Sequence, residues 1–476
     1  MAKLARASAL QFGANVTQTF VGAIITIYVI NELGVGAFGI FALSAALVKW
    51  ASIPAVGIRG AVITRMNESD DISPSEYFTT ASVLTGAIIL VGLLALLGYS
   101  PFVEQYLDYS GTQLVGGMFV SNVSFRLVLG GLRGENRVEM SSLYEALWGI
   151  LSSLVKLALV YTGVGVDALF YGEITSSIVI GIFGVYSLNI SFVSPTRSAA
   201  ISLYSWARYG WLDNLKRMSY SWLDTIILGF FVSTSLVGIY EVAWRISALF
   251  VLLPTAISKS TFPTISSLRD TDKLNKVRRI LTRGLSVAGV LAIPGLVGSV
   301  LVGGDILALY GPSVSSVGVA VSVLVSLSVV RLVECYETLV MQALNALDLP
   351  DRTFRIGVIF ITTNIILNVS LIPMFGVIGA AIATLLSMTL GSILAVRALP
   401  KAVQTLPPVS AIGSQFVSAG AMAVVLFTIL NYRPIGQPIE VVLYVLAGAT
   451  TYGFVLLSLS SNFRERVQQL LSESLG

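Results

Sequence analysis

The chain of 476 residues contains no histidine at all. That excludes imidazole acid–base catalysis, histidine metal ligation and a Ser-His-Asp triad. Cysteine is nearly as scarce: Cys335 stands alone, so no disulfide can form within the chain. Asp, Glu, Lys and Arg together make up only 11% of the residues, where a soluble domain carries about 25%. There is no Walker A run, no acidic or sulfur cluster with metal-ligand spacing and no glycine-rich loop between a strand and a helix. Cofactor, metal and ATP-driven chemistry by this chain alone are therefore not expected.

Long apolar runs fill the space those residues leave. Hydrophobic residues account for 55% of the chain and the mean hydropathy is +0.85. A helix needs roughly 20 apolar residues to cross about 30 Å of hydrocarbon. Fourteen stretches meet that need approximately: 8–31, 36–58, 77–98, 112–131, 143–163, 166–190, 211–234, 236–262, 284–303, 315–344, 353–373, 376–397, 409–431 and 438–459. The start, MAKLARASAL, is basic but has no short apolar core with a cleavage site, so the first stretch is expected to be retained. The chain reads as an all-α integral membrane protein with about fourteen spans.

Charge fixes the expected orientation. Alternate links collect Arg59, Arg65, Arg133, Arg137, Arg197, Arg208 and the basic run 264–283, with Arg352, Arg355 and Lys401 further on. The opposite links carry Arg433 alone among cations, beside Glu32, Glu104, Asp108, Asp167 and Asp305. The positive-inside rule then puts both termini in the cytoplasm of a multi-pass protein of the cell membrane. The run 264–283 reads first as a topology determinant lying on anionic headgroups.

VGAFGIFALSAAL (35–47) aligns with VGIYEVAWRISAL (237–249), and GVDALFYGEITSS (165–177) with GVIGAAIATLLSM (376–388). Both pairs lie six spans apart, which keeps the halves in one orientation and implies a parallel repeat. The expected organisation is an N-lobe at 1–208, a C-lobe at 209–405, a two-helix appendage at 406–461 and a cytoplasmic tail at 462–476.

Charges inside the spans are the functional evidence, because a charge in hydrocarbon needs a partner or water. Arg245 and Asp224 fall near the midplane by helical rise. Glu241 precedes Arg245 by four residues, on one helical face. These three are either a site or a buried ion pair joining two helices. Lys49 either snorkels to the interface or lines a wet cavity. Arg126 lies within snorkelling reach of the cytoplasm. Lys156 and Glu173 sit at matching depths on paired helices and are expected to neutralise each other. Gln11, Asn15 and Gln18 share one face of the first span, as do Asn364 and Asn368 in the eleventh; such amides bond sugar hydroxyls or each other.

Three stretches resemble the prokaryotic oligosaccharide (Wzx-type) flippases of the multidrug/oligosaccharidyl-lipid/polysaccharide (MOP) exporter superfamily. They are ELGVGAFGIFALSAAL (32–47) with GIRGAVITR (57–65); SYSWLDTIILGFFVSTSLVGIYEVAWRIS (219–247); and DILALYGPSV (305–314) with 342–387. The resemblance implies two pseudo-symmetric six-helix lobes of the MATE/MOP kind, plus two C-terminal helices, around a cationic cavity that opens to either side in turn. The implied substrate is a polyprenyl-diphosphate-linked oligosaccharide, moved to the outer leaflet by a transporter rather than an enzyme. It implies diphosphate contacts at Arg245, Arg59 and Arg65; from the charges and amides read above, Lys49 is expected to join them and Gln11, Asn15 and Gln18 to contact the glycan. Asp224 and Glu241 would hold Arg245 or take H+ or Na+ as a coupling ion in a functional monomer. The alternative within the superfamily is a cation-coupled multidrug exporter, which the lack of an acid in the first span counts against.

Overall fold

The computed structural model describes residues 2–68, 71–191, 193–268, 273–460 and 463–464, with side chains described except at 2–20, 209–217 and 219–221. Every regular element among them is a helix. Hydrocarbon offers an unpaired backbone amide no partner, so a lone spanning segment must bond within itself. In chain order the helices are α1 (Ala2–Ala51), α2 (Ile53–Arg65), α3 (Pro74–Gly98), α4 (Ser100–Leu107), α5 (Thr112–Gly134), α6 (Val138–Tyr161), α7 (Asp167–Ser187), α8 (Arg197–Phe231) and α9 (Thr234–Ala248). They continue as α10 (Leu252–Ser266), α11 (Leu274–Leu285), α12 (Ala292–Leu301), α13 (Gly303–Ala308), α14 (Pro312–Ser315), α15 (Ala320–Ala346), α16 (Pro350–Ala398), α17 (Val409–Tyr432) and α18 (Pro438–Leu459).

Nine helices among the described residues are long and apolar enough to cross a membrane. The apolar stretches outnumber them for physical reasons. Helices α1 and α16 each join two stretches across one glycine, Gly34 at φ 83° and Gly376 at φ 57°. Only a residue without a Cβ takes that backbone freely, and the chain turns there with no loop. Helix α15 carries Arg331, Glu334 and Glu337 in its middle, and α12 is ten residues long.

The chain divides into two compact units, Met1–Gly238 and Ile239–Gly476. In the first, α5 packs on α7, α2, α3 and α6, and α2 packs on α8. The exposed face of α3 is apolar (Leu90, Val91, Leu94), as a lipid-facing surface requires. Between α6 and α7, Lys156 Nζ lies 2.5 Å from Glu173 Oε1 and 4.6 Å above the Phe41 ring. Glycine permits one backbone crossing: a Cβ on Gly39 would stand 1.8 Å from the Thr234 carbonyl oxygen.

In the second unit, α15 is central and packs on α16, α10 and α12. Arg331 is buried there, bonded to Glu334 at 2.5 Å and stacked 3.8 Å from the centre of the Trp244 ring. Asn368 donates to Asn364 at 2.9 Å, and Asn364 to Thr384 at 3.1 Å, so these amides bond one another inside the protein. Helix α11 buries Val277, Leu281 and Leu285 in the protein and leaves Lys276, Arg278, Arg279 and Arg283 exposed.

Candidate functional site

A cavity of about 370 Å³ opens in the first unit. Six helices line it. Lys49 comes from the last turn of α1, and α2, restarted by Pro54 in its first turn, presents Arg59. Asn122, Arg126 and Arg133 come from α5, where spacings of four and seven residues keep them on one face. Glu145 projects from α6, while Met218 and Trp222, one turn apart, come from α8. Thr85 of α3 also lines it; its hydroxyl is buried without a hydrogen-bond partner among the described residues.

Four cations and one carboxylate therefore line this space among the described residues. Each is held by specific packing. Lys49 Nζ sits 4.7 Å above the centre of the Trp222 ring. The stem of Arg59 runs over Gly130, where a Cβ would approach its Cγ to 2.6 Å. Arg126 lies 5.7 Å from the Trp148 ring centre and 3.1 Å from Glu145 Oε1. Arg133 reaches Glu145 Oε2 at 3.0 Å, and its Nε donates to Ser141 Oγ at 2.9 Å.

These are wet ion pairs. The side chains of Arg126, Arg133 and Glu145 are 29%, 31% and 36% exposed, so each pair contributes about 0–1 kcal/mol. The Lys156–Glu173 pair, at 15% and 14%, is of another kind. A wet cluster with a positive excess attracts anions, and guanidinium forks match phosphate or carboxylate oxygens in planar, paired hydrogen bonds.

Lys49 and Arg59 both line the cavity. Arg65 does not; it bonds Glu68 at 2.5 Å at the end of α2. Asp224 and Glu241 are buried, on α8 and α9. Arg245 belongs to the second unit and is exposed; burial raises the Tyr310 phenol, and the Arg245 charge pulls it back down. The side chains of Gln11, Asn15 and Gln18 lie outside the described residues. Arg126 and Arg133, read from sequence as a snorkelling cation and a link charge, are the residues sequence reasoning missed. The signal was present: Asn122, Arg126 and Arg133 share a face, and Glu145 follows on the next helix.

The profile of a family described as "Polysaccharide biosynthesis protein" matches residues 33–313, and one described as "Lipid II flippase MurJ" matches 215–450. A curated relative from Haloferax volcanii, "Probable low-salt glycan biosynthesis flippase Agl15", is 28% identical over 95% of this chain and 96% of its own. Among solved structures, a lipid II flippase MurJ in an inward closed conformation superposes with a TM-score of 0.78 at 14% identity, covering 96% of this chain and all of that one. An inward-facing MATE multidrug transporter of the MOP superfamily superposes at 0.63 and 16% identity, covering 80% of this chain and 92% of that one. At these identities the structures speak for the fold.

Proposed function

This chain belongs to the polysaccharide biosynthesis protein family, and from that premise we propose that it flips a polyprenyl-diphosphate-linked oligosaccharide from the cytoplasmic to the outer leaflet by alternating access. The observation that carries the reading is the cavity lined by Lys49, Arg59, Arg126 and Arg133. Its volume, near the lower end of the roughly 300–1,000 Å³ of small-ligand sites, suits a diphosphate but not a glycan. In this reading the phosphates are held by the cations, the sugars contact Gln11, Asn15 and Gln18, and the lipid tail stays in hydrocarbon. The names of the Haloferax relative and of MurJ, both flippases, support the class of cargo.

The positive-inside distribution supports placing both termini in the cytoplasm of the cell membrane. The C-terminal ends of α2 and α5 then face the cytoplasm, so the cavity loads from that side. Arg245 is a second phosphate contact, reached as the substrate advances. Glu241, four residues before Arg245, holds it or binds H+ or Na+ as the coupling ion, Asp224 is the other candidate for that ion, and one chain suffices for transport. A positively charged cavity repels cationic drugs, which disfavours the multidrug alternative.

Reconstitution into proteoliposomes, with lipid-linked glycan and cationic dyes offered in parallel, tests the reading. Glycan should cross and dye should not, and Arg59→Ala should lose most of the glycan movement. Dye efflux without glycan movement would overturn the proposal.

A further inference from the structure

We propose that Glu145 is a built-in competitor for the substrate's phosphates, a carboxylate that occupies Arg126 and Arg133 when the cavity is empty and retakes them to release the headgroup. The inference rests on the diphosphate reading of the cavity and adds a positioning role to a residue of the opposite charge.

The geometry is that of a bridging anion. Glu145 gives one oxygen to each arginine, Oε1 to Arg126 at 3.1 Å and Oε2 to Arg133 at 3.0 Å. Those arginines stand two helical turns apart on α5, and the carboxylate reaches them from α6. A phosphate or diphosphate presents oxygens to two guanidiniums in the same way, with more charge.

The surroundings are built for exchange rather than for stability. All three side chains are close to one-third exposed, so the pairs are screened and weak as structural ties. The protein makes its buried ties elsewhere, at Lys156–Glu173 and Arg331–Glu334. Each arginine also keeps a second support when the carboxylate leaves. Arg133 remains bonded to Ser141, and Arg126 remains beside Trp148. The phosphate site thus persists in shape whichever anion fills it.

A tethered competitor has a transport consequence. A binding site that is occupied internally for part of the time binds its ligand more weakly by the fraction that is open. Binding must be strong enough to load and weak enough to leave. Four cations without Glu145 would hold a diphosphate too firmly to hand it on.

Calorimetric titration of inorganic pyrophosphate into the purified full-length protein, with flipping measured in proteoliposomes, tests this. Glu145→Gln should bind pyrophosphate about tenfold more tightly, the factor for a site open about a tenth of the time, and should flip lipid-linked glycan more slowly. Glu145→Asp keeps the charge but cannot reach both arginines, and its affinity should fall between the two. If pyrophosphate binds the wild type, and the variants bind no more tightly, the competitor role is wrong and the cavity reading survives. If pyrophosphate binds neither the wild type nor the variants, both fall.

Discussion

Arg59 reaches the cavity only because Gly130 leaves its path open. A methyl group there would stand 2.6 Å from Cγ, near the base of the side chain, where rotation cannot easily relieve it. Gly130→Ala should therefore displace Arg59 while strengthening α5, since alanine is favoured over glycine in a helix by about 1 kcal/mol. The expected result is a several-fold loss of pyrophosphate affinity with an unchanged or raised melting temperature; both are measurable on the same detergent-purified sample. A falling melting temperature with affinity intact would place Gly130 in packing instead. At this scale the sequence was half legible. Lys49 and Arg59 stand out as charges in or beside apolar runs. Arg126 and Arg133 look like ordinary cytoplasmic-end cations because depth along a helix can be read from position, whereas the face turned inward cannot. Arg65 shows the converse: its position resembles that of Arg59, yet its partner is Glu68.

Helices α6 and α7 illustrate how elements are joined in this solvent. Small residues and polar contacts must hold apolar helices together where lipid removes the hydrophobic drive. Lys156 and Glu173 supply such a contact, mostly buried at both ends, and their matching depths made the pairing readable in advance. Lys156→Met should leave the Glu173 carboxylate without its cation and destabilise by about 3–5 kcal/mol, whereas the Lys156→Met/Glu173→Met double variant should recover most of that loss. Thermal unfolding in detergent distinguishes them, and additive losses would show that the pair does not act as a unit. The glycine joints were less legible. Gly34 and Gly376 sit among many glycines, and only their backbone angles mark them as the places where one apolar run becomes two helices.

For the molecule as a whole, the proposed orientation rests on charge, and the chain is suited to a direct check because its one cysteine, Cys335, is buried. The wild type should react little with an impermeant maleimide. A cysteine at exposed Arg279 should label only from the cytoplasmic side, and one at exposed Tyr432 only from outside. The reverse pattern would invert the proposed loading direction. Membrane residence and helical class were determined by sequence alone, because they depend on how long and how apolar each run is. The division after Gly238 and the meeting of Lys49, Arg59, Arg126, Arg133 and Glu145 around one cavity were decided only by tertiary structure. Which faces of distant helices turn toward each other depends on side-chain packing between segments such as α1 and α8, brought together only when the chain folds, and no local pattern encodes that.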